Sequence, residues 1–461
     1  MPESGHPLRV YTLEGLSPEV AAVTFAKTSR SPRSFDDIAR ELTETASTRF
    51  HEKWVIGYGH SSVAEHAVLS IAIENLSILA AKIVEENRLS SFTEKSTRYQ
   101  VMAPGNYYTP GAFEGVAEYR DSISALYDAY HELLGPVGEF CEHRYGSSEC
   151  RAAGLSPSGK ACDAVRGLLP AAAKTNLGWT VNARSLRHAV VKLRSHPLAE
   201  MRELGDALER IGSGVAPTLL RHTEASPYLE DWARERPRVS TRPARPEMPS
   251  VRLVSHDDDG EERVAAALLF GAGGCSYREA RERALSMTKD EVGVLLSRAL
   301  QGIGGHEAPV RGFESTTYVF EITCDFGAYR DVQRHRMTTQ IAQPLGCELG
   351  YTIPEDAVDA GVADRMRDAL ERARDSWLSL SESDPLNAQY AVPLAFLRRF
   401  TIQMNYREAY VFVRLRSRVQ GHESYRRIAW AVRDEIERVH PALGRLIPVD
   451  RELAVEPAAK G

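Results

Sequence analysis

GHSSVAEHAVLSIAIENLSILAAKIVEENRLSSFTEKSTRY, residues 59–99, is the stretch around which the chain is organised. Its end carries the most information. In ENRLSSFTEKSTRY, Arg88 is followed by Ser91, then by Glu94, Ser96 and Arg98 at alternate positions, then by Tyr99. Hydroxyl, carboxylate and guanidinium groups set this close together make a poor core. Glu94 accepts from N–H groups, Ser96 donates and accepts, and the planar fork of Arg98 matches a phosphate. Such an inventory suits a nucleotide monophosphate; a polar loop after a helix is the bland alternative.

The plan recurs about 250 residues later in GHEAPVRGFESTTYVFEITCDFGAYRDVQRHRMTTQ, residues 305–340. Both copies open with Gly-His and continue to a glutamate, Glu65 and Glu314. Each then shows an apolar run with strand character, a short turn, and a helical run ending at arginine: ENR at Arg88, RHR at Arg336. A second pair repeats as well, VNARSLRHAVVKLR from Val181 and MNYREAYVFVRLR from Met404, each with Asn-x-Arg opening a helix that ends in Leu-Arg. Internal duplication is therefore the main architectural expectation.

The two copies resemble the flavin-dependent thymidylate synthases, whose signature runs Arg-His-Arg, two residues, Ser, one, Asn-Glu, one, Ser, one, Arg-Tyr. The first copy matches the downstream part as Ser91, Glu94, Ser96, Arg98 and Tyr99, but has Glu86 and Asn87 in place of Arg-His and Thr93 in place of Asn. The second copy is the mirror case. Arg334, His335 and Arg336 match, Thr339 replaces Ser, and the remainder reads QIAQPLGC. The chain thus looks like a tandem fusion in which each copy keeps a different part of the site.

Length and composition agree with two halves. The 461 residues exceed one ordinary domain, and 43% hydrophobic with 26% charged residues is globular. The expected division is an N-terminal domain over 1–223 carrying the nucleotide half-site, a linker over 224–250, and a C-terminal domain over 251–461 carrying the Arg-His-Arg flavin half-site. The linker EASPYLEDWARERPRVSTRPARPEMPS is rich in proline and charge and lacks periodicity. A net charge of −6 disfavours a general nucleic-acid binder. With neither a signal-peptide block nor an apolar run near 18 residues, a cytoplasmic protein off the membrane is expected. Six scattered cysteines show no metal-type pairing, so no metal is expected.

Along the chain, residues 14–50 read as helices starting from the Ser-Pro-Glu cap, HAVLSIAIE as a strand and LSILAAKIVEENRL as a helix. Residues 114–145 read as helix. CEHRYGSSECRAAGLSPSGKA reads as an irregular surface insertion, because Arg88 to Asn182 spans about 25 residues more than Arg336 to Asn405. GAGGC ends a helix rather than starting one and is no phosphate loop. A long helix is expected near 357–383.

The resemblance implies an α/β (α+β) fold, each half a central sheet with flanking helices. It implies FAD, with NADPH and methylenetetrahydrofolate as co-substrates, and reductive methylation of a dUMP-like nucleotide to dTMP. No cysteine occupies the matched motif positions, and a flavin route needs none, because reduced flavin brings the hydride and the folate brings the carbon. Ser96, Arg98 and Arg336 are then the catalytic residues. Glu94, Ser96, Arg98, Arg166, Arg194 and Arg334 hold the substrate; the cation at Arg166 is replaced by Gln389 in the second copy.

His60, Ser62, Glu65 and Arg88 become flavin contacts, as do Arg184 and His188, the triplet Arg334, His335 and Arg336, and the pair Asn405 and Arg407. Arg334 and Arg336 suit the edge of an anionic reduced flavin. Thr28 or Ser29 would add a hydroxyl. Family active sites form between subunits of a homotetramer, so a homodimer acting as a pseudo-tetramer is expected. A flavoenzyme acting on another pyrimidine nucleotide, or a non-catalytic nucleotide- or flavin-binding paralogue, are the alternatives.

Overall fold

The alternation and periodicity of the sequence become defined elements in the computed structural model, which describes residues 8–42, 44–50, 61–236 and 250–451. The first half opens with α1 (Pro18–Thr28), α2 (Phe35–Glu41) and α3 (Glu44–Phe50), followed by a 3-10 turn at Ser61–Glu65. Ser17 caps α1 by accepting from the Val20 N–H, with Pro18 at the first helical position. Then come β1 (Val68–Ser77), α4 (Ile78–Val84), β2 (Ser90–Glu94), α5 (Ala117–Tyr145), α6 (Ser148–Ala152) and α7 (Pro157–Val165). β3 (Lys174–Asn182), α8 (Ala183–Arg194), α9 (Ala199–Val215) and α10 (Pro227–Glu235) complete it.

The second half runs β4 (Ser250–His256), α11 (Gly260–Gly271), α12 (Tyr277–Ser286), α13 (Lys289–Ala299), a 3-10 turn at Arg311–Ser315, β5 (Thr317–Asp325), α14 (Phe326–Val332) and β6 (Thr339–Ala342). It ends with α15 (Glu355–Asp359), α16 (Ala363–Ser383), β7 (Leu397–Asn405), α17 (Tyr406–Arg416), α18 (Glu423–Val439) and α19 (Pro441–Leu446).

The duplication is visible element by element. One sheet has the order β1-β3-β2; the other has β4-β5-β7-β6, the same three-strand core with one strand added. β1 and β5 each feed a short helix, whose opening N–H groups bond back to the chain ahead of the later strand. Ile78 and Leu79 donate to the Ala173 and Ala171 carbonyls, and Phe326 and Gly327 donate to Phe396 and Leu394. Glu19 and Glu261, each second in the first helix of its half, accept from paired backbone N–H groups at Thr218 and Leu219 and at Ala442 and Leu443. Both Asn-x-Arg motifs are helix caps: Asn182 accepts from Ser185 at 2.8 Å and Asn405 from Glu408 at 2.9 Å.

The chain divides into two compact units that are not contiguous in sequence. The first comprises Met1–Leu76, Asn87–Glu94 and Asn176–Ser240. Its core rests on β3, where Leu177, Trp179 and Val181 alternate inward, and Phe92 of β2 stacks on Trp179 at 5.7 Å. Leu186, Ala189, Val190 and Leu193 line the buried stripe of α8. Glycines in α9 admit close neighbours: a Cβ on Gly212 would lie 2.3 Å from Leu220 Cδ1.

The second unit comprises Ser77–Glu86, Lys95–Thr175 and Thr241–Gly461. Its sheet is antiparallel throughout. Within it, chain from the first sequence copy pairs with chain from the second around Pro170 and Pro393. Ala171 donates to Val392 at 2.8 Å and Leu394 donates to Leu169 at 2.9 Å; Ala172 to Tyr390 and Ala395 to Gly167 extend the exchange. The bonds are reciprocal, the signature of two like segments meeting about a two-fold axis.

Three readings of the sequence are corrected. The stretch taken as an irregular insertion is helical, forming the end of α5, α6 and the start of α7, and α7 buries Ala161, Cys162 and Asp163 rather than lying on the surface. The stretch read as linker contains α10, a one-sided helix with exposed Tyr228 and Trp232; residues 237–249 lie outside the described ones. The helix expected near 357–383 is two, α15 and α16.

Candidate functional site

Arg-His-Arg follows α14, a helix of seven buried residues capped by Asp325, whose carboxylate accepts from the Ala328 N–H. His335 is therefore delivered inward, 6% exposed. Its Nδ1 lies 2.8 Å from Glu408 Oε1, its Nε2 accepts from Arg416 Nε at 3.0 Å, and its ring meets Phe412 edge to face. An Nε2 that accepts must be unprotonated, so Nδ1 carries the hydrogen given to Glu408 and the ring is neutral. Burial pushes the His335 pKa down, against the upward pull of Glu408. The flanking arginines differ: Arg334 is exposed and Arg336 half-buried.

In the same unit, Arg98 meets residues of the second copy. Its Nε donates to Asp163 Oδ1 and its Nη2 to Asp163 Oδ2, both at 3.0 Å. Nη1 donates to Tyr425 Oη at 3.0 Å and Nη2 also to the Gln420 carbonyl at 2.9 Å. Four of five N–H groups are thus engaged. Arg166, 4% exposed, approaches Asp163 Oδ1 at 3.1 Å through Nε, while its buried Nη2 has no hydrogen-bond partner among the described residues.

Asp331 sits among three guanidinia, 3.7 Å from Arg416, 3.8 Å from Arg166 and 4.0 Å from Arg334. These gaps exceed a hydrogen bond, so the contacts are ion pairs. Tyr425 lies between Arg98 and Arg416, with both guanidinia about 5.5 Å from its ring.

Four arginines (Arg98, Arg166, Arg334, Arg416) therefore face two carboxylates. Burial opposes the Asp163 charge, but Arg98, His422 and Arg166 outweigh it and hold that carboxyl below the usual range. Asp331 is held down likewise by Arg166, Arg334, Arg416 and Arg98. With both carboxylates ionised, the cluster keeps two positive charges in excess, which suits an anion. Gln389, the counterpart of Arg166, is instead spent on backbone, accepting from the Leu345 N–H and donating to the Leu386 carbonyl.

The structure brings Arg98, Arg166, Arg334 and His335 together. Ser96 is close in chain and turns the backbone by accepting from the Arg98 N–H at 3.2 Å. Arg194 belongs to the first unit and is tied there by Asp206 and by the carbonyl and hydroxyl of Thr223. In that unit also, Glu94 closes β2 opposite Leu177, Arg88 is exposed, and exposed His188 is held below its ordinary pKa by partial burial and by Arg187 and Arg184. Arg184 pairs with Glu65, and Arg407 in the second unit pairs with Glu314 at 2.9 Å. The repeated Glu and Asn-x-Arg motifs thus build the same ion pair twice. His60 lies outside the described residues.

Sequence reading missed Asp163, Asp331, Arg416 and Tyr425. Arg416 was within reach, since duplication makes it the counterpart of Arg194. The two aspartates each precede a predicted arginine by three residues, a helical neighbour spacing. Tyr425 gave no signal.

A dinucleotide cofactor has a fitting surface in the first unit. A cleft of about 570 Å³ there is lined by Lys27, Ser29, Arg30, Ser31 and Arg33, with Phe25, Phe50 and His66 as aromatic walls and Ser62 at its side. Cations and hydroxyls suit a diphosphate and the aromatic faces suit a planar ring, so the donor set fits FAD. Among the described residues, no group of three or more His, Cys, Asp or Glu could hold a metal ion, and no helix is long and apolar enough to cross a membrane.

Comparison with known proteins bears on the duplication. A UPF0159 protein of Chlamydia pneumoniae is 33% identical over 420 residues, covering 85% of this chain and 78% of its own length. One from Thermoplasma acidophilum is 27% identical over 457 residues, covering 88% and 89%. A flavin-dependent thymidylate synthase of Geobacter sulfurreducens is 26% identical over 211 residues, where 44% of this chain takes up 81% of that protein, as expected if each half is one copy. A family model described as "Thymidylate synthase complementing protein" matches twice, over residues 12–218 and 252–442, and the chain belongs to that family.

Proposed function

We propose that the chain is an FAD-dependent thymidylate synthase that converts dUMP to dTMP, taking its carbon from methylenetetrahydrofolate. The observation that carries this reading is the arginine cluster, in which Arg98 and Arg166 of the first sequence copy meet Arg334 and Arg416 of the second. When bound, reduced FAD supplies the hydride that completes the methyl group, and NADPH restores it.

The chain's own residues do the positioning. Arg166 Nη2, Arg334 and Arg416 offer donors to the nucleotide phosphate. Neutral His335 fixes Arg416 through its Nε2. Ser96 shapes the turn that presents Arg98. Arg336, with Ser96, is assigned to the reacting end of the nucleotide, and Arg98 to its phosphate beside Arg166. Ser62, Glu65, Arg184 and His188 of the first unit are assigned to FAD. A homodimer would supply four family copies, as one pseudo-tetramer in the cytoplasm.

The test is tritium release from [5-³H]dUMP by the purified yellow protein with methylenetetrahydrofolate and NADPH. Release that depends on the folate and on Arg334 supports the reading. A flavin-loaded protein that releases none overturns it. Glu86, Asn87 and Thr93, which depart from the family motif, favour a second reading, a flavoenzyme acting on another pyrimidine nucleotide. Turnover of that nucleotide without turnover of dUMP would distinguish it.

A further inference from the structure

We propose that Asp163 is the specificity-determining residue of the arginine cluster, an exchangeable occupant of the Arg98 and Arg166 guanidinium edges that a phosphate monoester dianion displaces. The inference rests on the nucleotide reading above and deepens it.

Asp163 already makes the contacts an incoming oxyanion needs. It takes the Nε and Nη2 edge of Arg98 in a two-pronged arrangement and the Nε of Arg166 at 3.1 Å. Carboxylates and phosphates both use that fork. An anion can reach the fork only by replacing the carboxylate. Its reward is the two positive charges the cluster holds in excess and the Nη2 of buried Arg166, which makes no hydrogen bond among the described residues. Displacement of Asp163 raises that excess to three; a dianion brings it down to one, a phosphodiester only to two, and a nucleoside leaves it at three.

The displaced carboxylate has a second place to go. Asp163 also lines a small cavity with Lys160, Tyr145, His422 and Glu423. Lys160 stands three residues earlier on α7, the spacing of neighbours on one helix face. Its ammonium lies over the Tyr145 ring at 5.5 Å and makes no hydrogen bond or ion pair among the described residues. A rotation about the Asp163 side chain, with no movement of α7, exchanges Arg98 for Lys160 as its partner. The helix carrying both residues belongs to the region that makes the first sequence copy longer than the second, so the device is particular to that copy.

Titration calorimetry of the full chain with dUMP, inorganic phosphate and deoxyuridine tests the exchange. Asp163→Asn is expected to bind dUMP and inorganic phosphate at least ten-fold more tightly than the parent, with deoxyuridine unchanged. Lys160→Met, which removes the second partner, is expected to weaken dUMP several-fold at unchanged Tm. A folded Asp163→Asn protein with equal or weaker phosphate binding overturns the proposal and leaves Asp163 a fixed support for Arg98. Should that variant not fold, Lys160→Met decides, and unchanged dUMP affinity overturns it. If inorganic phosphate follows the expected pattern while no dUMP is turned over, the exchange stands and the thymidylate reading falls. If no protein binds either anion, both fall.

Discussion

Arg416 Nε donates to His335 Nε2 at 3.0 Å, so a guanidinium and an imidazole are joined nitrogen to nitrogen inside the second unit. The contact exists only while His335 is neutral, because a protonated ring would turn a second N–H toward Arg416. His335 has its folded pKa lowered, first by burial. Below about pH 6.5 the unfolded chain then takes up a proton that the folded chain refuses. Stability from this residue is present above that pH and lost as pH falls. Denaturant titrations at pH 5 and 7.5 should show the loss, and it should shrink in His335→Gln. At pH 7.5, His335→Ala should cost about 2–3 kcal/mol, since Glu408 and Arg416 lose a partner in a largely buried place.

Arg98 is held by more acceptors than a residue kept only for ligand binding would need. Arg98→Ala leaves Asp163 buried with Arg166 as its remaining close cation, and should cost about 3–5 kcal/mol of stability, the scale for breaking a buried pair. Arg334, which is exposed, should behave oppositely. Arg334→Ala should change the urea midpoint little while weakening dUMP binding by about 1–3 kcal/mol. Equal stability losses in the two variants would show that Arg334 is structural too.

Flavin retention should separate from stability in the first unit. Arg184 and Glu65 are each about two-fifths exposed, and such surface pairs contribute at most about 1 kcal/mol. Arg184→Ala should therefore melt close to the parent temperature. If Arg184 contacts FAD, the same variant should lose its yellow colour on gel filtration, whereas Arg407→Ala tests the matching pair of the second copy.

A further pH effect has the opposite sign. Glu423, on the cavity beside Asp163, is pushed up to about 7, by burial first and then by the like charge of Glu355, though the Glu355 N–H pulls it down. Between about pH 4.5 and 7 the folded chain holds a proton that the unfolded chain has released. Stability from this group is full below that window and falls as pH rises through it. Glu423→Gln should gain on the parent by about 1–3 kcal/mol at pH 8 relative to pH 5. Because the buried histidines act the other way, the difference between variant and parent is the quantity to measure.

The fold was legible where local rules and global packing coincide. Period-two alternation marked β1, the Ser-Pro-Glu cap marked α1, and the recurring Asn-x-Arg marked two helix starts because asparagine caps them. Arg98, Arg166 and Arg334 were legible as a chemical type. What sequence could not give was their mutual arrangement. Whether an arginine faces a ligand or a carboxylate depends on residues far away in the chain, as with Arg98 and Tyr425. The α7 region was misread for a related reason. Its Gly, Ser and Pro content imitates a loop, yet Ser156 and Pro157 are a cap and a first-turn proline, and tertiary burial of Ala161 and Asp163 secures the helix.

The last prediction concerns the covalent link between copies. Because Lys95–Thr175 clusters with Thr241–Gly461, separating the copies in sequence does not separate the compact units. The reciprocal backbone bonds between 167–172 and 390–395, and the ion pair of Arg365 with Glu132, would have to break as well. A chain cut at a protease site engineered into residues 237–249 should therefore elute as one particle, with its dUMP affinity intact. Residues 250–461 expressed alone should expose the buried faces of Ala388, Tyr390 and Val392 and fail to show a cooperative melt. Neither piece alone should turn over dUMP, since Arg98 and Arg166 lie on one and Arg334 and Arg416 on the other. Co-expression should restore the particle. A C-terminal piece that melted cooperatively without its partner would show that each sequence copy is a folding unit in its own right, and the shared arginine cluster would then be a docking contact between two preformed domains.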